Sequence, residues 1–345
     1  MRRLAVLCLL IACGKSPGSS NGPDANVFGD GPPLSGVKYS LTWGPVNVPP
    51  GVESTQCMWM KLGNTSEIKV HQLHDQLSVA SHHLIVYKDD MDTTEQTTPT
   101  PCQPFTGALN TTGKISPIAI TQKHDDEITL PDGVAYTFAA GQMIKLEMHY
   151  INSQDTAQMA TATVDIYAAD PSTIQNEAAL LFTGSPDIDI GAGSAVELHQ
   201  FFTVPTYTGT NAFDPTKLKI FAITGHEHHL GTAVKLGLGA SKAGPMTSIY
   251  DPMPFQWAEP ATANFPTPIT IPAGGGIDIT CDWDNTQGSA AVGFGEKTTD
   301  EMCFSWMYYY PSQGSKVCIH TEKYGGANGI NLCCPGDSLC SQVGF

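Results

Sequence analysis

The sequence predicts an all-β fold divided into two domains, on three observations. Its 345 residues exceed the usual span of one domain, so two cores are expected. The 34 glycines and 25 prolines make up about a sixth of the chain, a composition that suits short strands joined by many turns better than long helices. Strand-length apolar runs, among them "LIVY", "ATVDIY" and the stretch from Leu218 to Thr224, are bounded by turn and polar residues. The formal charge of −16, with no stripe of Lys and Arg, excludes nucleic acid and other polyanions as partners.

Taken in order, the chain opens on "MRRLAVLCLLIACGKSPGSSNGPDA", two arginines followed by an apolar run from Leu4 to Ala12. Residues 1–12 are expected to be an export signal, too short to span a bilayer as a mature helix. "LIAC" resembles the bacterial lipobox, in which Cys13 would be lipidated and anchor the protein to a membrane, facing the periplasm or the cell surface. An ordinary signal peptide cut a little further on is the alternative. Residues 13–37 are rich in Gly, Ser, Pro and Asn and are expected to form a flexible linker, with folded structure beginning near Val37.

Export sets the reading of the cysteines. Apart from Cys8 and Cys13, eight remain, at 57, 102, 281, 303, 318, 333, 334 and 340. In an oxidising compartment an even number reads as disulfides. A zinc ribbon is disfavoured because no CxxC is matched by a second one. The polar, Pro-containing break "YAADPSTIQNEA" places a domain junction near residue 171, giving domains over 38–171 and 172–317. The Gly-rich stretch 318–345 is expected to be a small tail with two disulfides of undetermined pairing.

The histidines are the candidate ligands. In "MIKLEMHYIN", Ile144, Leu146 and Met148 alternate with Lys145, Glu147 and His149, which predicts a half-buried strand with His149 on its polar, accessible face. In "TGHEHHLG", period-two geometry puts His226 and His228 on one face, with Glu227 and His229 on the other. A His-x-His pair on a strand can chelate one ion, although surface residues of a hairpin would read the same way. His82 and His83 open the strand "LIVY". Adjacent strand residues diverge, so both can bind one ion only through a local bend or through different ring nitrogens. His71, His74, His124, His199 and His320 are read as structural or surface residues. Met302, in "DEMC", would by itself be core packing; beside imidazoles, a thioether selects copper over zinc.

A His-His pair before an apolar strand, then "MHY", then "HxHHLG", then "DEMC", in that order, resembles the copper type II, ascorbate-dependent monooxygenases, the family of peptidylglycine α-hydroxylating monooxygenase and dopamine β-monooxygenase. The resemblance implies two consecutive antiparallel jelly-roll β-sandwich domains, each holding one copper, across an open, solvent-filled cleft. It implies an electron-transferring copper on His82, His83 and His149, and a catalytic copper on His226, His228 and Met302. Disulfides Cys57–Cys102 and Cys281–Cys303 are implied as well. The implied reaction hydroxylates a C–H bond of a small organic substrate with O2, with ascorbate or another one-electron reductant as donor.

The chain departs from the peptide-amidating members at Thr224, where they carry an arginine, and at Phe304 and Trp306, where they carry an asparagine and a tyrosine. A glycine-extended peptide is therefore not the expected substrate. Phe304 and Trp306 share a strand face with Met302 by period two, so Thr224, Phe304 and Trp306 are candidates for a substrate wall, with core packing as the alternative. Two other functions fit parts of the pattern. One is an exported, non-enzymatic copper-binding or storage protein; the other is a zinc or iron enzyme using HxH within a facial ligand set.

Overall fold

The computed structural model describes residues 35–102, 104, 114–323, 329–337 and 339–340. The expected signal over 1–12, Cys13 and all but the end of the 13–37 linker lie outside the described residues. Among the described residues regular structure is strand, apart from three short 3-10 turns. No helix there is long and apolar enough to cross a membrane.

Four larger sheets, two in each half of the chain, and a small two-stranded one of Asp189–Ile190 with Val292–Gly293 make up the described residues, in a jelly-roll-like all-β arrangement. In the first half, Val37–Val48, Gln158–Ala169, Ile68–Leu77 and Val134–Phe138 lie side by side, with Asp125–Thr129 also on Ile68–Leu77. The facing sheet runs in the order Gln96–Pro101, Glu53–Lys61, Met143–Ile151, Ser81–Asp89, Ile115–Thr121. In the second half, Thr262–Ile269, Lys219–His226, Phe304–Tyr310, Ala179–Gly184, Lys316–Thr321 and Ile330–Cys334 form one sheet. The other is Ala195–Thr203, Gly276–Asp284, Gly231–Gly239 and Met246–Tyr250. Pairing is antiparallel except for two joints. Asn176–Glu177 runs parallel to Val134 and Ala135, so the first half's sheet takes a strand from beyond the 171 break. Ala179–Gly184 runs parallel to Lys316–Thr321.

The disulfides are Cys57–Cys102, Cys281–Cys303, Cys318–Cys333 and Cys334–Cys340. Lys316–Thr321 straddles Cys318, and Ile330–Cys334 pairs with it, so the Cys-rich segment is the edge of the second half's sheet.

Three features of this architecture matter for the histidines. First, an apolar core crosses from one half to the other: Leu84, Val86 and Ile118 belong to the same buried cluster as Phe182, Trp306 and Tyr308. The Tyr308 hydroxyl accepts from the Ile120 amide at 3.2 Å across that join. Second, the strand Met143–Ile151 is buried on both faces, contrary to the expected half-burial. Its polar face carries Lys145, Glu147 and His149, at 3%, 0% and 3% exposure. The sequence pattern records polarity correctly, but loops of the second half cover that face instead of water. Lys145 and Tyr87 both reach Glu147 Oε2, at 3.2 and 3.1 Å, which satisfies the buried charges. Third, the register of Ser81–Asp89 against Met143–Ile151 shifts between Ser81 and His83. This irregularity supplies the bend that two adjacent histidines need to share a site.

One buried acid yields a stability prediction. Asp75 is fully buried with neither carboxylate oxygen hydrogen-bonded. Burial, reinforced by Asp126 and Asp165, pushes its pKa well above the usual carboxylate range. The folded state therefore keeps a proton that the unfolded chain releases as pH rises through about 4. Unfolding is favoured progressively above that pH, by up to about 1.4 kcal/mol per pH unit while the folded acid stays neutral. Asp75→Asn removes the effect, so its stability relative to the unmodified protein should increase from about pH 4 to about pH 8, measured by urea midpoints. A pH-independent difference would show instead that Asp75 ionises in the fold.

Candidate metal centre

The first cluster is built by the pairing of two strands in the first half. His83 lies directly opposite His149 in the ladder, and the register shift brings His82 to the same point. Ring centroids are 5.4 Å apart for His82 and His83, 5.3 Å for His82 and His149, and 4.9 Å for His83 and His149. One nitrogen from each ring lies within 4.8 Å of the other two. All three are buried, and burial depresses the basicity of two of them: His82 falls to about 3 and His83 well below the usual imidazole value. Neutral rings with lone pairs are what a metal requires.

His149 is oriented by a carboxylate. Its Nε2 donates to Glu53 Oε1 at 2.8 Å, and that bond is the main reason the Glu53 pKa falls to about 2. An ionised carboxylate only accepts, so Nε2 carries the proton and Nδ1 keeps its lone pair for a metal. Oε1 of Glu53 also accepts the Thr298 amide at 2.9 Å, from the second half of the chain.

The second cluster lies where the strand Lys219–His226 ends and turns back into Gly231–Gly239. The Gly231 amide closes the turn on the His228 carbonyl at 3.0 Å. A Cβ at Gly231 would come within 2.4 Å of Glu227, so a glycine is needed for this close approach. His226 and His228 face each other at 5.1 Å between centroids. Because His228 is in the turn and not in the strand, His226, Glu227 and His228 are all buried, while the ring of His229 is exposed. The expected strand alternation therefore stops at His226. Burial near Glu301 and Asp282 raises Glu227 to about 10 and keeps it neutral.

Glu301 organises this turn. Its Oε2 accepts the His228 amide at 2.9 Å and the Trp283 indole N–H at 3.0 Å, and its Oε1 accepts the Leu230 amide at 2.7 Å. His228 Nδ1 donates to the Asp300 carbonyl at 3.0 Å, which leaves Nε2 with the lone pair. Nδ1 of His226 donates to Gln122 Oε1 at 3.1 Å, and its Nε2 is buried with no hydrogen-bond partner. Met302, 5% exposed, sits between Asp300, which holds His228, and Phe304, which lies opposite His226 in the ladder.

The two clusters adjoin one another. His83 and His226 are 6.5 Å apart between centroids, and Gln122, which holds His226, comes from the first half. An open, solvent-filled cleft between the clusters, expected from the resemblance, is absent. Two segments of the second half close it: Trp257 packs on His82 at 5.8 Å, and Thr298 docks on Glu53. A groove of about 1140 Å³ lies elsewhere, between His71, Asp132, Phe221 and Phe265, and none of the clustered histidines lines it.

The remaining candidates have ordinary partners. Thr224 is buried with its hydroxyl bonded to that of Thr262, and Trp306 is buried between Phe182 and His226. Of the three candidates for a substrate wall, Phe304 alone keeps partial exposure, and it packs on Phe294. His74, His199 and His320 bond to Asp125, Asp278 and Asn331, while His124 is 3.9 Å from Glu259. Sequence reasoning missed Glu53, Gln122, Trp257 and Glu301. Of these only Glu301 had a signal, as the acid next to Met302 in "DEMC".

A buried donor set of imidazoles suits a soft to borderline metal such as copper. Among solved structures, the chain is similar to the major capsid protein P2 from bacteriophage PM2 at 11% identity, over 81% of this chain and 100% of that one, with a TM-score of 0.32. It is also similar to the exported protein XepA of PBSX at 9% identity, over 80% of this chain and 88% of that one, with a TM-score of 0.20. Residues 180–327, which contain His226, His228 and Met302, match the model of the C-terminal domain of the copper type II ascorbate-dependent monooxygenases. It is through residues 180–327 that the chain is similar to the copper type II ascorbate-dependent monooxygenases.

Proposed function

We propose that this protein is a monooxygenase that hydroxylates a C–H bond of a small organic substrate with O2, using two mononuclear coppers and ascorbate or another one-electron reductant. His82, His83 and His149 would hold the electron-transferring copper, and His226, His228 and Met302 the catalytic one. The observation that supports this most directly is the state of the buried rings. Hydrogen bonds from His149 Nε2, His226 Nδ1 and His228 Nδ1 to protein oxygens leave the opposite nitrogens as lone-pair donors. Copper would supply one-electron redox chemistry and O2 activation. The chain's own residues orient the ligands and bury them away from water. Glu301 holds the turn that presents His228, and Asp300 fixes its tautomer.

The protein is further proposed to be an exported lipoprotein, anchored to a membrane through Cys13. Support for this is the leader composition and the four disulfides, which belong to an oxidising compartment.

One observation favours a second reading, an exported copper-holding protein without a substrate. Both clusters are buried and abut each other, with Trp257 packed on His82 and Thr298 docked on Glu53, which leaves little room for a substrate beside the ligands. Oxygen uptake with ascorbate and a substrate library separates the two readings, because a copper store consumes no O2 in a substrate-dependent way.

Anaerobic Cu(I) titration should give two equivalents per chain, with one Cu–S contact by X-ray absorption. Met302→Ala should remove that contact while the first centre, at His82, His83 and His149, still takes up one equivalent of copper. A single equivalent with no sulfur would rule out the mechanism. Replacing Glu301 by Ala leaves the His228 and Leu230 amides and the Trp283 indole without their acceptor, inside the protein. A loss of about 3 kcal/mol or more in stability is expected, on the scale of a broken buried charged network, together with weaker copper binding at the second centre. Urea denaturation and copper competition measure the two effects, and wild-type values for both would refute the role given to Glu301.

A further inference from the structure

Glu53 belongs to the first half of the chain and bonds to no ligand of the second centre, although its charge is felt at His228, and a short hydrogen-bonded path leads from it to that centre. Its Oε1 accepts from His149 Nε2 at 2.8 Å and from the Thr298 amide at 2.9 Å. Thr298 is 6% exposed, and its carbonyl accepts from His229 Nδ1 at 2.6 Å. The loop that carries Thr298 is closed on itself. The Gly295 amide bonds the Glu301 carbonyl at 3.2 Å, the Glu301 amide bonds the Gly293 carbonyl at 2.9 Å, and the Asp300 amide bonds the Lys297 carbonyl at 2.9 Å. Such a loop shifts as a unit. It presents the Asp300 carbonyl to His228, the Glu301 carboxylate to the His228 and Leu230 amides, and Met302 immediately afterwards.

We infer that Glu53 is a positioning residue that couples the two centres, so that metal bound at His82, His83 and His149 strengthens binding at His226, His228 and Met302, and the reverse. A metal on Nδ1 of His149 polarises the ring and strengthens the Nε2–H bond to Glu53. Glu53 is then held where it captures the Thr298 amide, and the docked loop pre-organises the second ligand set. By linkage the effect is reciprocal and of equal size in both directions. This inference rests on the two-centre reading above.

The test uses the full chain and Cu(I) under anaerobic conditions, with a competing chelator to measure affinity and X-ray absorption to identify the sulfur-ligated centre. Glu53→Ala should weaken the sulfur-ligated centre about tenfold, within the range for loss of an outer hydrogen-bonding partner and for coupling between sites. Met302→Ala, which impairs the second centre, should weaken the first centre by a similar factor when Glu53 is present and have no such effect in a Glu53→Ala background. Glu53→Gln keeps an oxygen for Thr298 but loses the charge, and should fall between the two; it also serves if the alanine variant does not fold. An unchanged affinity of the sulfur-ligated centre in either Glu53 variant overturns the coupling. If the unmodified protein shows no sulfur-ligated copper, the two-centre reading fails. If it binds two coppers independently, that reading stands and the coupling alone fails.

Discussion

The buried carboxylate of Glu301 is the interaction on which the second centre depends. Three N–H groups converge on its two oxygens, from His228, Leu230 and Trp283, and these come from a turn and a neighbouring strand that are far apart in sequence. A turn that carries two inward-facing imidazoles has backbone amides pointing into the protein, and without an acceptor they would cost stability. Burial opposes the charge on Glu301 and raises its pKa, while the amides of Leu230 and His228 and the nearby His229 ring pull it back down. The residue after Glu301 is Met302, so the group that shapes the imidazole pair also sets where the thioether chain passes.

The same economy of placement governs the join between the halves. The polar face of Met143–Ile151 would be a liability inside a protein, and each of its polar groups has a partner: Lys145 with Glu147, Tyr87 with Glu147, His149 with Glu53. With these satisfied, loops of the second half can lie over that face, and the apolar core runs through from one sandwich to the other. The two histidine clusters then adjoin each other across this join.

Much of this was legible in the sequence. The all-β class follows from the Gly and Pro content and from strand-length apolar runs, because those properties act locally. Two adjacent histidines could share one ion only through a bend or through different ring nitrogens, and the ladder has a register shift at that point. Burial of the polar face was not legible: alternation records that Lys145, Glu147 and His149 share a side, and says nothing of what covers it. Strand periodicity brought His226 and His228 together, as found, but it misplaced Glu227, which is buried while His229 is exposed, because the chain leaves the ladder after His226. Glu53 and Gln122 could not be found from sequence, since each acts on a histidine about a hundred positions away, through contacts that exist only once the halves are packed.

Cys303 follows Met302 directly, and its partner Cys281 lies on a central strand of the opposite sheet, beside Val234 and Leu198. The thioether is thus held at one end by a covalent staple that is itself reducible. A centre proposed to accept electrons in every cycle would be undone by them if its reductant could also open this bond. Both sulfur-bearing residues have 0% exposure, which denies a thiol or thiolate the line of attack that exchange requires. A disulfide can be opened only by direct attack of a thiolate on sulfur, whereas an electron needs no such contact, so burial protects this bond even beside a centre that would be reduced in every cycle.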